Sequence, residues 1–141
     1  MILALLLVGL ALLLIRSFRI SYISSESMSP TLKVGDVFIE YQLSLSHRLK
    51  LDDIVTFISP VSNKLTIKRI IGLPGAIINN IVVPAGYVYL IGDNLENSYD
   101  SREHGPIEQT KICGKFIMKL TSLTEDELKK GLYLRKKFGI N

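Results

Sequence analysis

Hydrophobic and polar positions divide the chain into three zones. Residues 1–15 carry no polar side chain, and as a helix they would cover about 22 Å at 1.5 Å per residue. A bilayer core is about 30 Å thick. Snorkelling by Arg16 and Arg19, with Phe18 and Ile20 extending the apolar stretch, closes that gap, so a membrane anchor is expected over residues 1–20. A cleavable signal peptide is the alternative. No basic region precedes the apolar run and no small-x-small cleavage site follows it, which favours an uncleaved anchor. The two arginines on its C-terminal flank would, by the positive-inside rule alone, hold the following domain in the cytoplasm.

The second zone is a succession of short runs rich in β-branched and aromatic residues. Strands are predicted over 34–39, 53–58, 64–71, 86–91 and 112–120. Gly72-Leu73-Pro74-Gly75 and Val83-Pro84-Ala85-Gly86 read as turns, and Asn79-Asn80 between Ile78 and Ile81 suits a tight hairpin. From Thr124 the pattern changes. Thr124 can cap Glu125-Asp126-Glu127, and lysines and arginines follow, which predicts a short terminal helix with a basic end. The expected architecture is all-β, barrel-like or built of coiled antiparallel sheets, with one N-terminal transmembrane helix and a short C-terminal helix. Its expected boundaries are 1–20 for the anchor, 21–122 for the β-rich catalytic domain and 123–141 for the basic tail.

Composition narrows the function classes. Of 141 residues 48% are hydrophobic, a share raised by the N-terminal run, and what remains is enough for one small core. The net charge of +4 comes with no aromatic-interleaved basic motif, so anionic lipid is a better match for it than nucleic acid. Cys113 has no partner cysteine for a disulfide and no neighbouring cation in sequence to activate it, so it reads as a small strand residue of the core. With only His47 and His104 beside it, neither a metal site nor a cofactor is implied.

The informative residue is Lys68. It lies in a run, Lys64-Leu65-Thr66-Ile67-Lys68-Arg69-Ile70-Ile71, that reads as a half-buried strand, and burial would lower its pKa toward a value useful in a general base. Alternation sends Lys68 and Arg69 to opposite faces, so Lys68 can be buried while a structural Arg69 stays in water.

Ser25-Glu26-Ser27-Met28-Ser29-Pro30-Thr31-Leu32 resembles the nucleophile box of type I signal peptidases. Val34-Gly35-Asp36, Asp53-Ile54-Val55 with Lys68-Arg69-Ile70-Ile71-Gly72-Leu73-Pro74-Gly75, and Gly92-Asp93-Asn94-Leu95-Glu96-Asn97-Ser98-Tyr99-Asp100-Ser101-Arg102 follow in that family's order. The resemblance covers roughly residues 16–120. Lysine in the third box is similar to the bacterial Ser/Lys branch, where the other branch has histidine.

The resemblance implies Ser27 as nucleophile and Lys68 as base. It implies Ser25 as an oxyanion donor beside the Ser27 N–H, Ser98 as the group orienting the lysine, and Asp100 with Arg102 as support. If extended, their segment would place Asp100 and Arg102 on one face, where they can pair. Ile23, Met28 and Ile67 fall where walls of the substrate pocket are expected, although core packing suits them nearly as well. Asp93 and Asn94 read as turn formers.

The activity implied is a membrane-anchored serine endopeptidase that cleaves signal peptides from exported preproteins after small residues. It would sit in a bacterial cytoplasmic membrane, catalytic domain outside, near the export machinery and using no cofactor. Glu26, Ser24 and Leu95-Glu96 depart from the usual residues of these boxes. Glu26 and Leu95-Glu96 motivate a rival reading, a catalytically silent membrane β module that binds exported peptides or scaffolds a translocation complex.

Overall fold

A computed structural model describes residues 1–2, 16–42 and 48–124. The apolar run and the basic C-terminal segment predicted as helices lie outside the described residues, apart from their ends. Among the described residues no helix is long and apolar enough to cross a membrane.

Among the described residues nine strands form: β1 (Phe18–Tyr22), β2 (Asp36–Gln42), β3 (Ile54–Ile58), β4 (Leu65–Gly72), β5 (Ile77–Ile78), β6 (Ile81–Val82), β7 (Tyr87–Ile91), β8 (Ile107–Glu108) and β9 (Ile112–Ser122). A four-residue helix, α1 (Ser101–His104), follows β7. Seven strands make one antiparallel sheet in the order β1-β2-β9-β3-β4-β7-β8, while β5 and β6 pair as a separate hairpin. Register shifts within the β2–β9, β3–β9 and β4–β7 pairs bend the strands, and the sheet curls into a half-barrel. Asn79 and Asn80, with φ of 49° and 63°, turn the β5–β6 hairpin as a two-residue loop of this kind requires.

The predicted strands all appear, several of their ends moved by one to three residues. One element differs in kind. Phe18 and Ile20 do not extend the apolar run; they belong to β1, where Phe18 faces Tyr41 and Ile20 faces Ile39 across the β2 ladder. The hydrogen-bonding demand of β2's edge outweighs the hydrophobicity of a five-residue stretch that contains Arg19 and Ser21.

Two apolar clusters hold the sheet together. Val55, Phe57, Ile70, Val88, Leu90, Ile107 and Ile112 form one, and Ile23, Met28, Leu32, Phe38 and Ile54 form the other, with Ile67 and Phe116 packed against it. Cys113 is half-buried in β9, and burial pushes its thiol pKa up. The second cluster borders an enclosed charge. Glu40 of β2 is wholly buried and accepts hydrogen bonds from Arg19 Nε (2.5 Å), Ser21 Oγ (2.8 Å) and Thr56 Oγ1.

Room for that carboxylate exists because Gly114 of β9 has no side chain. A Cβ there would stand 2.5 Å from Glu40 Oε2 and 3.0 Å from Thr56 Oγ1. Gly114→Ala is therefore expected to lower stability by about 1–3 kcal/mol, as overpacking against a pinned group does. Urea denaturation checks this, and an unchanged midpoint would contradict it.

Candidate active site

The chain leaves β1 through Ile23, which is buried, and enters a 3-10 turn at Glu26–Met28. Met28 and Leu32 insert into the core on either side of the following bend, and this fixes Ser27 at the edge of the cluster with 6% of its surface exposed. Opposite it, β4 presents Lys68, 2% exposed, with its Nζ 2.6 Å from Ser27 Oγ. Desolvation lowers the Lys68 pKa. The negative charges of Asp100 and Asp93 oppose that shift without reversing it.

The last of the family-like boxes closes the site from a third direction. Asn94 N–H donates to the Ser27 carbonyl (3.0 Å) and Asn94 Nδ2 to the Glu26 carbonyl (3.2 Å), so this loop clamps the Ser27 turn. Asp93 makes a two-pronged pair with Arg69, at 2.8 and 2.7 Å, which ties the same loop to β4. These two residues do more than form a turn. Their partners are distant in sequence, so only the fold reveals the clamp.

Asp100 is fully buried and surrounded by donors: the Gly92 N–H (2.9 Å), Ser98 Oγ (2.7 Å), and Arg102 through its Nε (2.8 Å) and backbone N–H (3.2 Å). Despite the burial, these donors bring its pKa down to about 2. Asp100 also caps α1, and Glu103 returns a bond to the Asp100 N–H (2.8 Å). The pairing of Asp100 with Arg102 is thus made at a helix start and not, as expected, along an extended segment.

Two further expectations change. Ser98 was expected to orient Lys68, but its hydroxyl proton goes to Asp100 Oδ2, and among the described residues it makes no hydrogen bond to Lys68. An ionised carboxylate is the stronger acceptor. Met28 was expected at a pocket wall, yet it is 0% exposed in the core and does not line the groove beside the site. Ile23 and Ile67 do line it. Ser25 is exposed, its Oγ 3.3 Å from Ser27 Oγ.

That groove runs between the outer edge of β1 and the portion of β4 before Arg69, where β4 pairs with β3 alone. Ser21, Tyr22, Ile23, Ser24, Ser25 and Phe38 line one part of it, and Thr56, Ser62, Lys64, Leu65, Thr66 and Ile67 the rest. Its cavity volume is about 220 Å³, below the roughly 300–1,000 Å³ of small-molecule sites, which suits side chains of an extended peptide better than a free ligand. Among the described residues no group of three His, Cys, Asp or Glu side chains could hold a metal ion.

The sheet thus buries a lysine amine against a serine hydroxyl beside this groove. The chain belongs to the family described as signal peptidase, peptidase S26, which it matches over residues 1–81 and 77–121. It is 33% identical over 115 residues to mitochondrial inner membrane protease subunit 1 of Schizosaccharomyces pombe, covering 73% of each chain. Identity to the human protein of that name is 38% over 114 residues, covering 72% of this chain and 69% of the other. Signal peptidase I of Leptolyngbya laminosa is 32% identical over 153 residues, covering 79% of this chain and 75% of the other. A crystal structure of a signal peptidase I from Enterococcus faecalis V583 aligns with TM-score 0.45 and 23% identity, over 50% of this chain and 98% of that one.

Gly92 is where the three segments meet. A Cβ on it would lie 2.2 Å from Ser98 Oγ and 2.5 Å from the Ser27 carbonyl oxygen. Gly92→Ala is expected to force the Ser27 turn away from β4. Thermal melts should show a loss of about 1–3 kcal/mol, and hydrogen exchange should show the Asn94 amide losing protection, the Asn94–Ser27 bond being broken. Retained protection would contradict the clamp.

Proposed function

We propose that the chain is a membrane-anchored serine endopeptidase that removes N-terminal signal peptides from preproteins, cutting after small residues. One observation carries the reading: a desolvated lysine amine within 2.6 Å of a serine hydroxyl, at the end of a groove with two free strand edges. An unassisted serine is a poor nucleophile at neutral pH, whereas a neutral amine can take its proton.

In the proposed sequence Ser27 Oγ attacks the scissile carbonyl carbon while its proton passes to Lys68 Nζ. The tetrahedral oxyanion is met by the Ser27 N–H, in the first turn of a 3-10 segment, and by the Ser25 hydroxyl. Lys68 then gives its proton to the leaving amine nitrogen as the C–N bond breaks, leaving an acyl ester on Ser27. Water, deprotonated by Lys68, cleaves that ester, and the proton returns to Ser27 Oγ. Asp100, Ser98 and Arg102 act as support: their bonds hold the Gly92 loop, and with it the Ser27 turn.

Glu26 and Leu95-Glu96, the departures that suggested a silent module, are exposed and do not line the groove. The substrate path is therefore open. A membrane location follows from the apolar run and from the outer face of β1, where Phe18, Ile20 and Tyr22 are 47%, 66% and 44% exposed directly after that run. The relatives include proteins named for the mitochondrial inner membrane and bacterial proteins named signal peptidase I. We assign the chain to the bacterial cytoplasmic membrane, with the catalytic domain outside and preproteins delivered by an export machinery; protease accessibility in oriented vesicles tests this.

Full-length chain mixed with a preprotein in detergent tests the reaction. Ser27→Ala and Lys68→Ala are each expected to reduce cleavage by more than about 10³-fold. Undiminished cleavage in Lys68→Ala would sink the dyad. A second measurement reads protonation. Acid pH charges Lys68 and blocks it as a base, so kcat/KM should rise with pH through an apparent pKa below lysine's usual value of about 10.4. A profile flat between about pH 6 and pH 10 would contradict a lysine base.

A further inference from the structure

Burying Glu40 determines what the groove floor can offer a substrate. Ser21 and Thr56 both line the groove, and both donate to this carboxylate, Ser21 to Oε1 at 2.8 Å and Thr56 to Oε2. A hydroxyl has one proton and two lone pairs. With both protons turned to Glu40, the two oxygens have only acceptor capacity left for the groove. Arg19 Nε also donates to Oε1, at 2.5 Å, so both carboxylate oxygens are occupied as acceptors. The gap at Gly114 shows that the sheet is shaped around this carboxylate.

We propose that Ser21 and Thr56, held by Glu40, form an acceptor-only polar subsite that selects peptides with an N–H or O–H donor side chain, such as Asn, Gln, Ser or Thr. The proposal rests on the peptidase reading and deepens it. Its place along the substrate follows from β1. Ser25 is beside the nucleophile, and Ser21 lies four residues back near the end of β1, at most about 13–14 Å away along the chain. An extended peptide reaches that far about two to four residues from the bond being cut. A carboxylate is rejected at this subsite, because it brings no proton to two acceptors that already face Glu40. A purely apolar side chain leaves both oxygens unpaired as water is expelled.

The test uses the full chain in detergent with peptides that differ only at the second, third or fourth residue before the scissile bond, carrying Asn, Asp, Leu or Ala there in turn. At the matching position Asn is expected to raise kcat/KM about ten-fold over Leu and over Asp. Ser21→Ala and Thr56→Val should each bring the Asn-to-Leu ratio toward one, and Thr56→Ser should restore it. If Thr56→Val does not fold, Ser21→Ala and Thr56→Ser carry the comparison. Equal rates at all positions, a ratio that survives Ser21→Ala, or a preference for Asp, which Lys64 in the same groove would confer, overturns the subsite.

Failure to cleave any peptide would instead overturn the peptidase reading. The subsite is then read from fluorescence anisotropy of labelled Asn and Leu peptides. A ten-fold tighter Asn complex supports it and equal affinities overturn it.

Discussion

The structure depends on keeping one ammonium out of water. An isolated cation in an apolar interior costs several kcal/mol even after relaxation, so a buried lysine either finds a carboxylate or gives up its proton. Lys68 has carboxylates in its vicinity, Asp100 and Asp93, but neither makes a hydrogen bond to it. Each is already committed. Asp93 spends its two oxygens on Arg69, and Asp100 accepts from Gly92, Ser98 and Arg102. A direct ion pair would have raised the lysine pKa and removed its use as a base. By satisfying both carboxylates elsewhere, the fold leaves Ser27 as the near partner of the amine.

This explains why a small domain devotes so much of its hydrogen bonding to one loop. Gly92, Asp93 and Asn94 are consecutive, and each fastens a different piece: Gly92 N–H to Asp100, Asp93 to Arg69 on β4, Asn94 to the Ser27 turn. Ser27 and Lys68 come from segments 41 residues apart and share no strand pairing. Their 2.6 Å separation is maintained by the loop that touches both.

Much of the site could be read from the residues. Lys68 stands in an alternating β-branched run, and period-two reasoning buries it while leaving Arg69 at the surface. Ser27, Asp100 and Arg102 were reachable through the order of the boxes. What could not be read was pairing at a distance. The clamp by Asn94 and the committed proton of Ser98 depend on which acceptors lie nearby in space, and no local pattern encodes that. Met28 beside Ser27 looked equally suited to a pocket wall or to the core, and only the bend at Glu26–Met28 decides in favour of the core.

Strand β2 shows the limit of pattern reading most clearly. Its sequence, Asp36-Val37-Phe38-Ile39-Glu40-Tyr41-Gln42, alternates in a way that would turn Val37, Ile39 and Tyr41 inward. The fold does the reverse, burying Asp36, Phe38 and Glu40 and leaving the apolar set partly exposed. Each buried acid has its own compensation: Asp36 accepts from the Lys33 N–H, Ser122 and Lys119, and Glu40 from Arg19, Ser21 and Thr56. The outward Ile39 and Tyr41 meet Ile20 and Phe18 of β1 on a face that follows directly from the apolar N-terminal run. Hydrogen-bond satisfaction decides which side turns inward, because both acids find their donors on the buried face, and a buried carboxylate without donors would cost far more than leaving Val37, Ile39 and Tyr41 partly exposed.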